Sequence, residues 1–148
     1  MEKIIIGLAS DHAGYPLKEQ VKEWLTAKGY AFEDYGTNST DSCDYPEFAA
    51  AAAQAVASGE CQRGIVLCTT GIGMSIAANK VKGIRAAAVS DCFTAQATRE
   101  HNDSNIICLG ERIVGPGLAM RIVDTWLEAS FQGGRHQVRV DMISELEN

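Results

Sequence analysis

Gly64 to Lys80 reads GIVLCTTGIGMSIAANK, and the change of character along this stretch decides the fold class. Gly64 to Cys68 is a short, continuous apolar run, the pattern of a strand buried on both faces. Thr69 to Gly73 is a Gly-rich segment that feeds a short helix through Asn79. A buried strand passing through glycines into a helix is the unit from which parallel sheets are built.

The unit recurs on both sides. Upstream, Lys3 to Ala9 (KIIIGLA) is another buried strand, ending in the polar turn Ser10 to Gly14. Pro16 suits the first turn of a helix whose apolar face is Leu17, Val21, Trp24 and Leu25, closed by Lys28-Gly29. Tyr30 to Asp34 is a short strand, Tyr35 to Tyr45 a polar loop, and Pro46 to about Ser58 an Ala-rich helix. Downstream come a strand from Ile84 to Val89, a helix from Cys92 to Glu100 and a strand from Asn105 to Leu109. Leu118, Ile122, Val123, Trp126 and Leu127 mark a further helix, and a final amphipathic one begins near His136. The alternation predicts one domain over residues 1–148, a three-layer α/β/α Rossmann-like fold with a five-stranded parallel sheet.

Composition agrees and narrows the function classes. The 148 residues are 46% hydrophobic and 22% charged, ordinary for a globular chain long enough to bury a core. Thirteen Lys and Arg against nineteen Asp and Glu leave a net charge of −6, which argues against a general nucleic-acid or anionic-membrane binder. No apolar run is long enough to span a bilayer, and the N-terminus reaches Asp11 and His12 too soon for a signal peptide. Five cysteines without CxxC spacing indicate neither a disulfide framework nor a zinc ribbon, and fit a reducing cytoplasm.

In parallel sheets, ligands bind outside the carboxyl ends of the strands. The loops there hold Asp11-His12, Cys68 to Gly73, Asp91 and Gly110-Glu111-Arg112. Glycines at a strand-to-helix junction leave backbone N–H groups free to face an anion, a reading favoured here over a plain tight turn. The loop is not a dinucleotide fingerprint, because Ile76 stands where the third Gly belongs, and Lys80 lies too far along for a Walker A loop. Cys68 reads either as a small core hydrophobe or as a thiol at a helix N-terminus able to exchange a proton. Asp11 either faces a ligand or caps the following helix. His101-Asn102-Asp103 reads as a turn after a helix, and Arg135 with Arg139 as a phosphate clamp or a solvated face. No pair among Asp11, His12, Cys68 and His101 has helix-type zinc spacing, so no metal is expected.

SDHAG (Ser10 to Gly14), DYPEFA (Asp44 to Ala49), TGIGMSIAANK (Thr70 to Lys80), GIRAA (Gly83 to Ala87), REHNDSN (Arg99 to Asn105) and GGRHQVR (Gly133 to Arg139) stand in one order along the chain. Through them the chain resembles, over essentially its whole length, the type B ribose-5-phosphate isomerases and the related galactose-6-phosphate isomerase subunits. The resemblance implies a cofactor-free isomerisation of ribose 5-phosphate and ribulose 5-phosphate through an enediolate. It also implies a homodimer whose sites draw residues from both subunits, with pairing into tetramers left open.

Carried over by position, Cys68 resembles the acid/base that moves the proton between C1 and C2, with Thr70 assisting. His101, with Asp11 nearby, resembles the ring-opening group. The N–H groups of Gly71, Ile72, Gly73 and Met74 resemble the hole for the enediolate oxygen. His12, Arg112, Arg135 and Arg139 resemble phosphate ligands, and Tyr45 and Asn102 contacts to sugar hydroxyls. One subgroup of the family carries a glutamate base where Met74 stands, which leaves the thiol as the base here. Many relatives have Gly where Thr69 follows the cysteine.

The nearest alternative is an isomerase of allose 6-phosphate or galactose 6-phosphate, and a non-catalytic sugar-phosphate-binding protein is a further one. A nucleotide-binding module would use Asp34, twenty residues past Gly14, as its ribose acid, but the first loop lacks the phosphate turn.

Overall fold

The computed structural model describes residues 3–148. Its strands are β1 (Ile5–Ser10), β2 (Ala31–Asp34), β3 (Arg63–Cys68), β4 (Ala86–Ala88) and β5 (Ile106–Gly110). The helices are α1 (Tyr15–Lys28), α2 (Tyr45–Ala57), α3 (Ile72–Ala78), α4 (Cys92–Asn102), α5 (Pro116–Glu128) and α6 (Arg135–Glu145). The strands form one sheet in the order β2-β1-β3-β5-β4, and every pairing is parallel.

The period-2 alternation of a strand sorts its side chains between two cores. Ile6 and Leu8, Ile65 and Leu67, and Ile107 and Leu109 pack with α1, α4 and α5, where Trp126 is the largest buried side chain. Ala9, Val66, Cys68, Ile106 and Cys108 face the other way, against Ala49, Ala52 and Ala53 of α2 and Met74 and Ala78 of α3. This parity delivers the Cys68 side chain to the α3 side of the sheet.

Most elements differ from the expected bounds by one or two residues, and two of these departures have a clear physical cause. The outermost strand spans only Ala86–Ala88, because Ile84 N–H is held in a turn by Val81 C=O (3.2 Å) and Arg85 N–H by the Asn105 side chain (2.8 Å). The Asn79 amide takes both backbone groups of Ala86 (2.8 and 2.9 Å), covering the sheet edge as a further strand would. Helix α4 runs two residues past Glu100, so His101 and Asn102 belong to its last turn rather than to a following turn. Asp103 then ends the helix in the left-handed region, with φ 48° and ψ 44°.

Candidate active site

At the carboxyl end of the sheet, three loops are stitched to one another through backbone. Asp11 N–H donates to Leu67 C=O (3.1 Å), Glu111 N–H to Cys68 C=O (2.8 Å) and Arg112 N–H to Thr69 C=O (3.0 Å). The approach is close enough to demand glycine: a Cβ on Gly14 would lie 2.5 Å from the Leu67 carbonyl oxygen. Asp11, buried, accepts the Gly14 N–H (2.9 Å), while Gly14 itself occupies the cap position of α1. The carboxylate thus shapes the turn ahead of the helix rather than capping it.

Cys68 closes β3 with only 5% of its surface exposed, and its Sγ accepts the Gly71 N–H at 3.1 Å. Gly71 reaches that position with φ +80°, a conformation costly for other residues. Ile72 N–H is taken by Thr70 Oγ1 (3.2 Å), whereas the Gly73 and Met74 N–H groups have no partner among the described residues. Both are first-turn donors of α3, which a helix leaves unpaired. The Met74 side chain is fully buried beside Cys68 in the α2–α3 core. Tyr45, the first residue of α2, lies over the loop, so that a Cβ on Gly73 would meet its ring at 2.8 Å. His12 Nδ1 accepts the Cys43 N–H (3.3 Å), with Cys43 Sγ 3.8 Å away. An accepting Nδ1 puts the proton of the neutral ring on Nε2. Cys43 was visible in the sequence only as one of five cysteines, without a signal for this contact.

His101 and Asn102 form a second group with Arg135 and Arg139 of α6. The His101 and His136 rings stack at 4.5 Å and 14°. Desolvation, aided by His101, Arg135 and Arg139, holds His136 below the usual histidine value. Both arginines are exposed.

The two groups lie at opposite ends of the sheet. Cys68 is paired with Gly110 where β5 finishes, while His101 precedes Ile106, where β5 begins opposite Gly64. Those four steps of strand span about 13 Å. Within one chain, Asp11 and His101 therefore stand at opposite ends of the sheet. Arg112 and His12 stand at the Cys68 end, Arg135 and Arg139 at the other.

Asp34 has a different occupation from the ribose acid considered above. Its carboxylate binds Lys18 Nζ (2.6 Å), Lys22 Nζ (3.0 Å) and the Gly36 N–H (2.8 Å). Among the described residues no cluster of three or more His, Cys, Asp or Glu side chains could hold a metal ion, and no helix is long and apolar enough to cross a membrane.

The model of the Ribose/Galactose Isomerase family matches residues 6–143. Ribose-5-phosphate isomerase B of Escherichia coli is 48% identical, over 99% of this chain and 97% of that protein. The D-erythrulose-4-phosphate isomerase of Pectobacterium atrosepticum is 42% identical over 97% and 95%. The solved structure of Clostridium thermocellum Ribose-5-Phosphate Isomerase B superposes with a TM-score of 0.96 at 56% identity, covering 97% of each chain. The fold, the glycine loop after β3 and these full-length matches agree: the chain belongs to the ribose/galactose isomerase family, the family of the type B ribose-5-phosphate isomerases.

Proposed function

We propose that the chain, as one domain, interconverts ribose 5-phosphate and ribulose 5-phosphate, with Cys68 as the acid/base. The observation that carries this reading is the Cys68 thiol, anchored by Gly71 N–H beside the two unpaired N–H groups of Gly73 and Met74. A proton on a carbon next to a carbonyl leaves only if the resulting enediolate is stabilised, and N–H donors beside the base supply that. Cys68 takes the proton from C2 of the open-chain aldose and returns it to C1, while the hydroxyl proton on O2 passes to O1. No net oxidation occurs, so no redox cofactor is required. Thr70 assists at the reacting carbons, and His101 with Asp11 opens the furanose ring. His12, Arg112, Arg135 and Arg139 bind the phosphate, while Tyr45 and Asn102 contact sugar hydroxyls. The phosphate is a remote handle whose binding energy holds the reacting carbons in place.

A homodimer follows from the separation of the two groups, since His101 and the α6 arginines reach a Cys68 only if it belongs to a second copy. Apolar side chains around the glycine loop support such a contact: Ile72, Ile76, Phe93 and Ile113 are 55–81% exposed. Five free thiols suit a cytoplasmic enzyme.

The test is turnover without added metal or nicotinamide, comparing ribose 5-phosphate, erythrulose 4-phosphate and allose 6-phosphate. Preference for the pentose is expected, and preference for another chain length would reassign the substrate while keeping the chemistry. Turnover of none would leave a binding protein. Cys68→Ala should abolish isomerisation, and so should His101→Ala. Co-expressing the two should restore part of the activity, because a mixed dimer has one intact site; two active single variants would overturn the assignment.

A further inference from the structure

Asp103 is the one non-glycine residue with positive φ among the described residues, and it follows His101 and Asn102 directly. A helix that merely needs to stop takes glycine or asparagine at such a place. Here the position holds an aspartate gripped from two sides. Arg99, on the preceding turn and only 5% exposed, donates to the Asp103 carboxylate and to the Ser104 carbonyl. Arg85, from the turn before β4, donates through Nε to the carbonyls of Asn102 (3.1 Å) and Asp103 (3.0 Å), and through Nη2 to Asp103 Oδ2 (3.4 Å). One carboxylate oxygen thus goes to each guanidinium, and the last carbonyls of α4 are tied to a segment outside the helix. Arg85 is itself fixed, since its N–H donates to the Asn105 side chain, which also donates to Gly83 C=O. Burying Arg99 has left its Nε without a partner, a cost that a simple helix end would not incur.

We propose that Arg85 and Arg99, acting through Asp103, are positioning residues for ring opening: they set the backbone of the last α4 turn and with it the placement of His101. The His136 ring holds the imidazole by stacking, and the arginine pair holds the helix that carries it. This rests on the ring-opening role given to His101 above.

The experiment compares ribose 5-phosphate with its 4-deoxy analogue, which lacks the hydroxyl needed to close a furanose and so needs no ring opening. Asp103→Gly keeps the left-handed backbone accessible but removes the carboxylate. Misplacement by about 1 Å can cost up to 10²-fold. The expected result is a fall in kcat/KM at least tenfold larger on ribose 5-phosphate than on the analogue, whose own loss reflects only the Asn102 contact disturbed in the same turn. Asp103→Asn, which tolerates the same backbone and still accepts a hydrogen bond, should recover much of the loss. Equal losses on both substrates, or none, would overturn the proposal, as would failure of Asn to outperform Gly. If Asp103→Gly does not fold, Arg85→Lys, which removes the Nε contacts to the Asn102 and Asp103 carbonyls, carries the same comparison, with the same selective loss expected. Wild-type protein inactive on ribose 5-phosphate would instead refute the isomerase reading itself.

Discussion

Replacing Asp34 by alanine should destabilise the protein far more than replacing its buried partner Lys18. Lys18 is fully buried in α1, with its Nζ 2.6 Å from Asp34 Oδ1 and 2.5 Å from the Thr37 carbonyl. Burial alone would raise the Asp34 carboxyl, but Lys18, the Gly36 N–H and Lys22 outweigh it and hold the group below the usual carboxylate range. Asp34→Ala leaves a buried ammonium with one carbonyl, and breaking such a pair costs about 3–5 kcal/mol. Because Asp34 is 16% exposed, the lower end, about 3 kcal/mol, is the fitting value. Lys18→Met keeps Asp34 on Lys22 and Gly36 N–H and fills the same space with apolar atoms, so about 1 kcal/mol is expected. In the Lys18→Met background Asp34→Ala should cost little, giving a coupling of about 2 kcal/mol. Urea unfolding at one protein concentration measures all four proteins, and 3 kcal/mol corresponds to a Tm drop of roughly 6–12 °C. Since the folded carboxyl is held low, its stabilisation is complete above the ordinary value near 3.9 and fades as pH falls through the lower folded value. The difference between wild type and Asp34→Ala should therefore shrink in strong acid. A loss below about 1 kcal/mol, or additive costs in the double variant, would refute the buried-pair reasoning.

Gly14→Ala should cost about 3 kcal/mol or more, because the new Cβ meets the backbone of Leu67 at 2.5 Å and Cys68 N at 3.0 Å, which cannot swing aside; a melting temperature within 2 °C of wild type would contradict this packing. Arg135→Ala should raise KM with little change in kcat, and the reverse pattern would mean that the arginine acts on the transition state. For His136, whose folded pKa is lowered, the unfolded chain takes up the proton first, so its contribution turns destabilising as pH drops through about 6.5. His136→Phe should flatten that part of the stability–pH curve, and an unchanged slope would remove the imidazole as its source.

The architecture was legible because apolar runs such as KIIIGLA and GIVLC have one economical solution, a strand covered on both faces. The limits of α4 and β4 were not, because side chains from elsewhere set them. Asn79 and Asn105 take backbone groups that a strand through Ile84 and Arg85 would need, and the two arginines on Asp103 let the helix continue through Asn102. Lys18 was equally hidden: it borders the Leu17–Val21–Leu25 stripe, where a lysine ordinarily reaches solvent, and only the return of β2 puts a carboxylate over it.

The division of the candidate site into two groups has a simpler origin, in the direction of the chain. In a parallel sheet with helical crossovers, residues that follow strands collect at one end and residues that close helices collect at the other. Asp11 and Arg112 follow β1 and β5 and Cys68 ends β3, whereas His101 and Asn102 close α4, with α6 packed against them. No bend of a short loop brings the second set to the first across about 13 Å of paired strand. If both sets act on one sugar phosphate, the second set must come from another copy, and the paired inactive variants test that requirement directly. Restored activity in the mixed dimer, with none in either parent, is the result that this topology demands.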